Sequence, residues 1–360
     1  MDAEPVGEEA RRGLRGSGVL RFAAFAVGIA ATFWLLGELR SVLQPLVLSI
    51  LIWFLLGAVA RLFARFADGP EAAPGRMAYA ASALSFAALA TGLVFMLSDS
   101  IADLRANLPT YRENVVAMLG PLAETAGVER LPRLTELTED VDIGSVVLGV
   151  LGSLAGSVGN LVIIACFVFF LFAEAQCFGG KLDALVRDSE RRARIATLLS
   201  EMSLKVETYL GVKCLLGAVQ AVPTFVVLWA VGVQSPVVWA VLIFFLSFIP
   251  TLGSLIGIAL PAILALIQFT SPVPFLLTLA LLAPVQLLAS NWMEPRLMGQ
   301  SLNLSPLAIF IAIFLGGAVW GVVGALVSVP ALTMAVIACA QAEATRPAAI
   351  LLSRDGHVVA

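Results

Sequence analysis

Long apolar runs separated by short polar connections dominate the chain. The runs lie at about residues 19–39, 42–63, 77–97, 144–173, 209–232, 236–269, 274–292 and 306–340. Each run exceeds the roughly 17 residues that an α-helix needs to cross about 30 Å of hydrocarbon. The pattern therefore predicts an all-α, polytopic integral membrane protein with about eight transmembrane helices.

Two of the runs, 236–269 and 306–340, are too long for one straight crossing. Their 34 and 35 residues would make straight helices of roughly 51 Å at about 1.5 Å per residue. Glycine and proline interrupt both runs, at Pro250, Gly253, Gly257 and Pro261 in the first and at Gly316, Gly317, Gly321, Gly324 and Pro330 in the second. We expect both runs to tilt strongly, kink, or fold back as re-entrant hairpins.

These breaks have a functional interpretation beside the structural one. A broken helix leaves backbone N–H and C=O groups unpaired at membrane depth, which is tolerated only where protein or a water-lined cavity satisfies them. In secondary transporters such breaks mark the substrate site, whereas close packing through small residues is the simpler alternative. We therefore take both breaks as a hypothetical substrate pathway. The hypothetical pathway also includes three uncharged polar residues, Gln220, Gln286 and Asn291. The simpler alternative is that each of them makes a hydrogen bond between helices.

The composition agrees with a membrane protein and excludes several other classes. Sixty per cent of the residues are hydrophobic and 13 per cent are charged, against about 25 per cent charged in a soluble protein. One histidine, four scattered cysteines and a net charge of −3 argue against a metal site, a cofactor or a nucleic-acid partner. The usual acid, base and nucleophile constellations are missing, so we expect no enzyme.

Lysine and arginine in the connections predict the orientation, because they favour the cytoplasmic side. We expect a multi-pass protein of the inner (plasma) membrane, with the lipid bilayer around it and both termini cytoplasmic. The predicted segments are a cytoplasmic N-terminal tail (1–18), transmembrane helices 1–3 (19–97), an extracytoplasmic amphipathic helical arm (98–143), transmembrane helix 4 (144–175), a charged cytoplasmic helical segment (176–208), transmembrane helices 5–8 with the broken segments (209–340) and a cytoplasmic C-terminal tail (341–360).

The predicted arm is acidic and has apolar residues at helical spacing, from Ile101 to Leu122. This spacing predicts an amphipathic helix after the third span. The helix would lie on the membrane or on neighbouring spans, or else contact partner subunits and shield the mouth of a pathway. The sequence leaves both interpretations open.

Ionisable residues are almost missing from the last third of the chain. No Asp, Glu, Lys, Arg or His occurs in the 80 residues between Lys213 and Glu294. Ion-coupled transporters generally place such groups along their path. An ion-coupled mechanism would therefore depend on Glu294, on backbone carbonyls of the broken helices or on the earlier spans, and we assign a coupling or gating role to Glu294, Pro295 and Arg296. The simpler interpretation makes Glu294 an interfacial residue paired with Arg296.

Five stretches together resemble a known family. They are Leu43-Gln44-Pro45, Phe169-Phe170-Leu171-Phe172-Ala173-Glu174, Phe248-Ile249-Pro250-Thr251-Leu252-Gly253 with Gly257 and Pro261, Glu294-Pro295 with Gly299, Leu304 and Pro306, and Gly316-Gly317 with Gly321, Gly324 and Pro330. They cover about residues 20–340 and resemble the AI-2E transporter family, membrane proteins named for export of the quorum-sensing signal autoinducer-2. The chain departs from many relatives at Ser305, where they have histidine.

The resemblance implies about eight spans, cytoplasmic ends, an extracytoplasmic helical insertion and homo-oligomers. Some relatives are associated with signal export and others with sodium/proton exchange. We therefore expect an exporter or facilitator of a small, uncharged or weakly polar solute resembling autoinducer-2. A sodium/proton antiporter is the first alternative, and an oligomeric scaffold acting through the arm is an alternative of another class.

Overall fold

The computed structural model describes residues 27–28, 30–69, 75–125, 161–249, 252–298, 303–341 and 343–356. Every regular element in these ranges is helical: α1 (Arg40–Asp68), α2 (Arg76–Thr125), α3 (Leu161–Leu185), α4 (Ser189–Val231), α5 (Pro236–Leu246), α6 (Leu252–Phe269), α7 (Pro272–Leu288), a π-helical turn (Ala289–Met293), α8 (Glu294–Met298), α9 (Pro306–Ala340) and α10 (Arg346–Leu352). A further helical segment, residues 30–38, precedes α1. The predicted N-terminal tail, residues 126–160 and Pro250 lie outside the described residues.

The protein is an all-α polytopic membrane protein, as the apolar runs predict. Within the described ranges, four helical stretches are long and apolar enough to cross a membrane: Arg40–Arg61, Ser189–Val231, Pro272–Met298 and Pro306–Ala340. A bent pair, Val162–Ala175 with Cys177–Leu185, passes the same criterion when it is taken together. Length and composition alone do not show which of these stretches cross the membrane. For the runs 236–269 and 306–340, contacts between their two halves show whether each is straight or doubles back.

The run 236–269 doubles back as a helical hairpin made of α5 and α6, which we call hairpin A. At its base, the backbone N–H of Gln234 donates to the side-chain oxygen of Gln268 at 2.8 Å. Near its tip, a Cβ on Gly253 would lie 1.9 Å from the carbonyl oxygen of Leu246, so only glycine allows this approach. The run therefore folds back on itself as a hairpin, one of the alternatives that the sequence left open.

The run 306–340 also doubles back, within α9, and we call it hairpin B. Gly321 has φ 63° and ψ −141°, outside the helical region, and the chain reverses there. A Cβ on Gly324 would lie 1.9 Å from the carbonyl oxygen of Gly316, eight residues earlier. The start of the hairpin also meets α10, which follows its end, since the N–H of Ser305 donates to the carbonyl oxygen of Leu352 at 2.8 Å.

The two hairpins enter the helical bundle from opposite ends. Between them, α7, the π-helical turn and α8 form one stretch of 27 residues, Pro272–Met298, about 40 Å long at about 1.5 Å per residue. Hairpin A ends just before this stretch and hairpin B begins shortly after it. Opposed broken elements of this kind are the arrangement found around transporter binding sites.

Helix α4 forms the centre of the packing. Its buried residues recur every three or four positions, as expected for one buried helix face: Val206, Tyr209, Leu210, Lys213, Leu216, Gly217, Gln220, Thr224 and Leu228. The face contacts hairpin A closely, because a Cβ on Gly217 would lie 2.8 Å from the Phe244 ring. Lys213 is the charged exception in this apolar face.

The predicted arm continues directly from the third apolar run, since α2 is a single helix of 50 residues. At about 75 Å it extends well beyond the hydrocarbon core. Part of it, around Tyr111 and Asn114, lies on the base of hairpin A. The Tyr111 hydroxyl donates to Gln234, and the Asn114 amide donates to the Ile267 carbonyl oxygen at 3.0 Å. These contacts join the arm to other parts of its own chain, as in the interpretation that it lies on neighbouring spans.

Candidate functional site

The tips of hairpins A and B face each other across a cavity of about 390 Å³, which we call the tip cavity. Thirteen described residues line it, and all of them are Leu, Ile, Phe, Val, Ala or Gly. Pockets for small molecules usually enclose about 300–1,000 Å³. The tip cavity is therefore large enough for a small solute, and its described wall is apolar.

Side chains of α4 satisfy the backbone carbonyls that the break in hairpin A leaves free. Lys213 Nζ donates to the carbonyl oxygen of Ser247 at 2.9 Å, and the Tyr209 hydroxyl donates to that of Phe248 at 3.4 Å. Unpaired carbonyls end the α5 helix here, where its dipole is negative and favours a cation. The position of Lys213 is thus explained by the break itself.

Lys213 also forms a buried ion pair. Its Nζ lies 2.6 Å from Oε1 of Glu294, with the lysine side chain fully buried and the glutamate side chain 20% exposed. Glu294 follows the π-helical turn directly, and such turns are frequent at functional sites. One lysine therefore links α4, the tip of hairpin A and the start of α8, directly after the π-helical turn.

The interpretation that Glu294 pairs with Arg296 is wrong. The described partner of Glu294 is Lys213, 81 residues earlier. The Arg296 guanidinium carbon instead lies 3.8 Å from the centroid of the Trp292 ring, on the exposed side of α8. Successive positions near a helix start face different directions, so Glu294 turns inward while Arg296 turns outward.

The tip of hairpin B is satisfied in a different way. Gln44 of α1 donates from Nε2 to the carbonyl oxygen of Trp320 at 3.0 Å, just before the reversal at Gly321. The indole N–H of Trp320 donates in turn to the carbonyl oxygen of Leu36 at 2.8 Å. Two neutral hydrogen bonds thus hold this tip, whereas a charged group holds the other.

The residues predicted for the pathway occupy three different environments. Gly317 and Gly321 line the tip cavity. The residues that hold the hairpin arms together or are buried inside them are Gly253, Gly257, Pro261, Gly324 and Pro330. Gln220 and Gln286 are buried away from the tip cavity, and Asn291, Pro295 and Arg296 are exposed. Pro250 lies outside the described residues.

Gln286 has an unusual environment for an amide. Its side chain is fully buried, and neither its nitrogen nor its oxygen has a hydrogen-bond partner among the described residues. Its Cδ would lie 3.9 Å from a Cβ on Gly257, so it packs against hairpin A. Buried amides normally have partners, and this makes Gln286 a second candidate contact for a polar solute.

Sequence reasoning did not identify Lys213, Tyr209 and Gln44 as site residues. A signal existed for Lys213, because it falls in register with the apolar face of α4. Gln44 was noted only as part of a motif, and nothing local relates it to Trp320, which lies 276 residues later. Contacts over such separations follow from the packing of the hairpins and not from local pattern.

The model of one protein family, described as AI-2E family transporter, matches residues 22–343. The "AI-2 transport protein TqsA" of Escherichia coli (strain K12) is 27% identical over 266 residues, covering 72% of this chain and 76% of that protein. A Mycobacterium tuberculosis protein named for transport, MT0215, is 28% identical over 86% of this chain and 85% of its own. A Borreliella burgdorferi protein named for transport is 32% identical over 178 residues, and the chain covers about half of that protein, 49%.

Proposed function

The chain belongs to the AI-2E transporter family, and from that membership we propose that it carries a small, uncharged or weakly polar solute across the membrane. The solute would pass between the tips of hairpins A and B, by export or facilitated passage. The observation that carries the proposal is the meeting of two re-entrant hairpins, inserted from opposite ends, around the tip cavity. Because irregular backbone is stable at membrane depth only beside protein or a cavity, this arrangement favours a pathway.

The charge distribution supports an uncharged solute. None of the described residues that line the tip cavity is ionisable. Transferring an isolated charge into such surroundings costs far more than a transporter could recover from apolar contacts. The buried pair of Lys213 and Glu294 neutralises itself and faces the carbonyls of the break.

Flux into proteoliposomes tests this function. Autoinducer-2 is the first solute to try, because the name of the E. coli relative specifies it. We expect Gly317→Leu to block flux, because Gly317 lines the tip cavity and a Cβ there meets only Ala325 at 4.0 Å. Gly211→Leu is the matched control, since Gly211 lies on α4 with nothing within 4 Å of its added Cβ.

Two results would refute the proposed pathway. One is flux that Gly317→Leu leaves unchanged although the variant elutes as the wild-type protein does. The other is the absence of flux for every neutral solute tried, relative to vesicles without protein. A loss of flux in Gly211→Leu as well would indicate a general folding defect and contradict the assignment to the cavity.

Sodium/proton exchange is the second candidate function, and Lys213 with Glu294 favours it. A carboxylate beside helix-end carbonyls resembles the oxygen sites that bind sodium in broken-helix transporters, with the lysine ammonium in the place of the cation. If the protein is a sodium/proton exchanger, Glu294→Gln should abolish the sodium-driven pH change in vesicles. Glu343→Gln is the control, because Glu343 is exposed, and it should leave the pH change intact. Exchange that survives Glu294→Gln excludes this mechanism.

We also propose the inner (plasma) membrane as the location, with both termini cytoplasmic and the 98–143 arm extracytoplasmic, and a homo-oligomer as the working unit. Arginine-rich connections and the family resemblance support these proposals. Accessibility of cysteines introduced at the termini and in the arm tests the orientation. The mass of the purified protein in nanodiscs tests the oligomer.

A further inference from the structure

From the tip cavity we infer that the solute is apolar, an alkyl, alkenyl or aromatic compound with no more than one or two polar groups, and is not a polyol. The inference rests on the proposed function and narrows its uncharged solutes to apolar ones, which excludes polyhydroxylated compounds such as autoinducer-2. It is carried by the described wall of the cavity, which contains only hydrocarbon side chains and glycine. A polar solute would find no side-chain partner on that wall.

Among the described residues, backbone carbonyls at the two tips are already engaged. Three tip carbonyls already accept a hydrogen bond from a side chain that lies outside the cavity wall. Lys213 donates to Ser247, Tyr209 to Phe248 and Gln44 to Trp320. The breaks are therefore polar on their outer sides, where α4 and α1 satisfy them, and apolar where they face each other.

Two serine hydroxyl groups of the hairpins are also engaged. Ser247 donates to the carbonyl oxygen of Phe244 at 2.7 Å, within hairpin A. Ser328 donates to that of Gly324 at 2.6 Å, within hairpin B. Both protons are used inside their own helices, so neither serves as a donor to a solute.

Hydrogen-bond energetics then decide between solute classes. A hydroxyl buried without a partner weakens binding by a factor of about five to about 150. A solute with four or five hydroxyls would lose affinity by that factor several times over. An apolar chain loses nothing comparable and gains from leaving water.

Gln286 defines the alternative for a polar solute. Its unpartnered amide lies behind hairpin A, against Gly257, and not on the wall of the tip cavity. A polyol would find an unpartnered amide there and no polar side chain on the described wall of the tip cavity. Dependence of binding on Gln286 or on Gly317 therefore separates the two classes of solute.

Photolabelling of the protein in nanodiscs tests the inference, with a decanol that carries a diazirine as the probe. We expect saturable labelling of Ile313 and Phe314, located by mass spectrometry and reduced at least about tenfold by Gly317→Leu. Gly211→Leu should leave it unchanged. Unlabelled decanol should compete, whereas xylitol at a hundredfold higher concentration should not.

A phospholipid with a diazirine in its acyl chain separates a solute from a bilayer lipid, because both offer an alkyl chain. If this lipid labels the same residues and decanol does not displace it, the cavity holds lipid and the inference is wrong. Competition by xylitol, or polyol flux that requires Gln286, would overturn it as well.

Further outcomes separate this inference from the proposed function. If Gly317→Leu blocks the flux of a polyol, the proposed pathway between the hairpin tips stands and only the inference of an apolar solute is wrong. If decanol labels the cavity as expected but no solute's flux depends on Gly317, the proposed function fails instead.

Discussion

Replacing Lys213 by methionine tests whether the buried ion pair determines the stability of the hairpin A tip. Methionine keeps the length and the apolar stem of the side chain but removes the ammonium. Glu294 and the carbonyl oxygen of Ser247, which lie 2.6 Å and 2.9 Å from Lys213 Nζ, both lose their partner. No water replaces the ammonium readily, because the lysine side chain is fully buried.

The expected magnitude follows from the burial. Removing one partner of a buried ion pair leaves an uncompensated charge and typically costs about 3–5 kcal/mol. Adding Glu294→Gln removes that charge, so the double variant keeps only the orphaned Ser247 carbonyl, which costs about 1–3 kcal/mol. The double variant should therefore be more stable than Lys213→Met alone, by about 2 kcal/mol from these values.

Titration of the purified protein in micelles with SDS, followed by tryptophan fluorescence, measures the free energy of unfolding of all four members of this cycle. Lys205→Met is the matched control, because it makes the same change on the same helix at a partly exposed position. It should change stability by no more than about 0.5 kcal/mol. The reasoning fails if Lys213→Met costs no more than this control. It also fails if the double variant is as unstable as the two single variants added together.

Three further predictions concern the hairpin contact, the arm and α8. Gly324→Ala should cost about 3 kcal/mol or more, because its Cβ would lie 1.9 Å from a backbone oxygen. Gly317→Ala should be neutral or stabilising by up to about 1 kcal/mol, and equal SDS midpoints for the two would refute the tight hairpin. Tyr111→Phe should cost about 0.5–1.5 kcal/mol. Burial raises the pKa of Tyr111, so its contribution is present below the ordinary pKa of about 10 and decreases as the pH rises further. A thermal-unfolding difference from wild type that grows above pH 10 would contradict that sign. Arg296→Gln should cost only about 0.5–1 kcal/mol, the value of a cation–π contact with Trp292, and a loss as large as that of Lys213→Met would show that Arg296 is a partner of Glu294.

The helical class and the positions of the breaks could be predicted from the sequence, because both are local properties. Apolar runs of sufficient length predict helices in a membrane, and glycine with proline predicts interruption. The direction of the chain after each break could not be predicted. A kinked span and a hairpin have the same local pattern, and contacts such as Gln234 with Gln268 decide between them.

The candidate site was predictable only in part for the same reason. Glycines at a break were assigned to a pathway, and Gly317 and Gly321 do line the tip cavity. Gly253 and Gly324 serve a different purpose, since their missing Cβ lets two helices touch. Sequence alone does not distinguish a glycine that faces a cavity from one that faces a backbone.

Lys213 shows how far a physical argument from sequence could have reached. It lies three or four residues from Tyr209, Leu210, Leu216 and Gly217, so the helical period places it on the face that α4 buries. A lysine buried at membrane depth needs a counter-charge, and in the 80 residues after it the chain offers none. Glu294 is the first acidic residue that follows. Register and charge scarcity together therefore predict the pair that the structure contains, whereas the proximity of Arg296 in sequence predicts the wrong one.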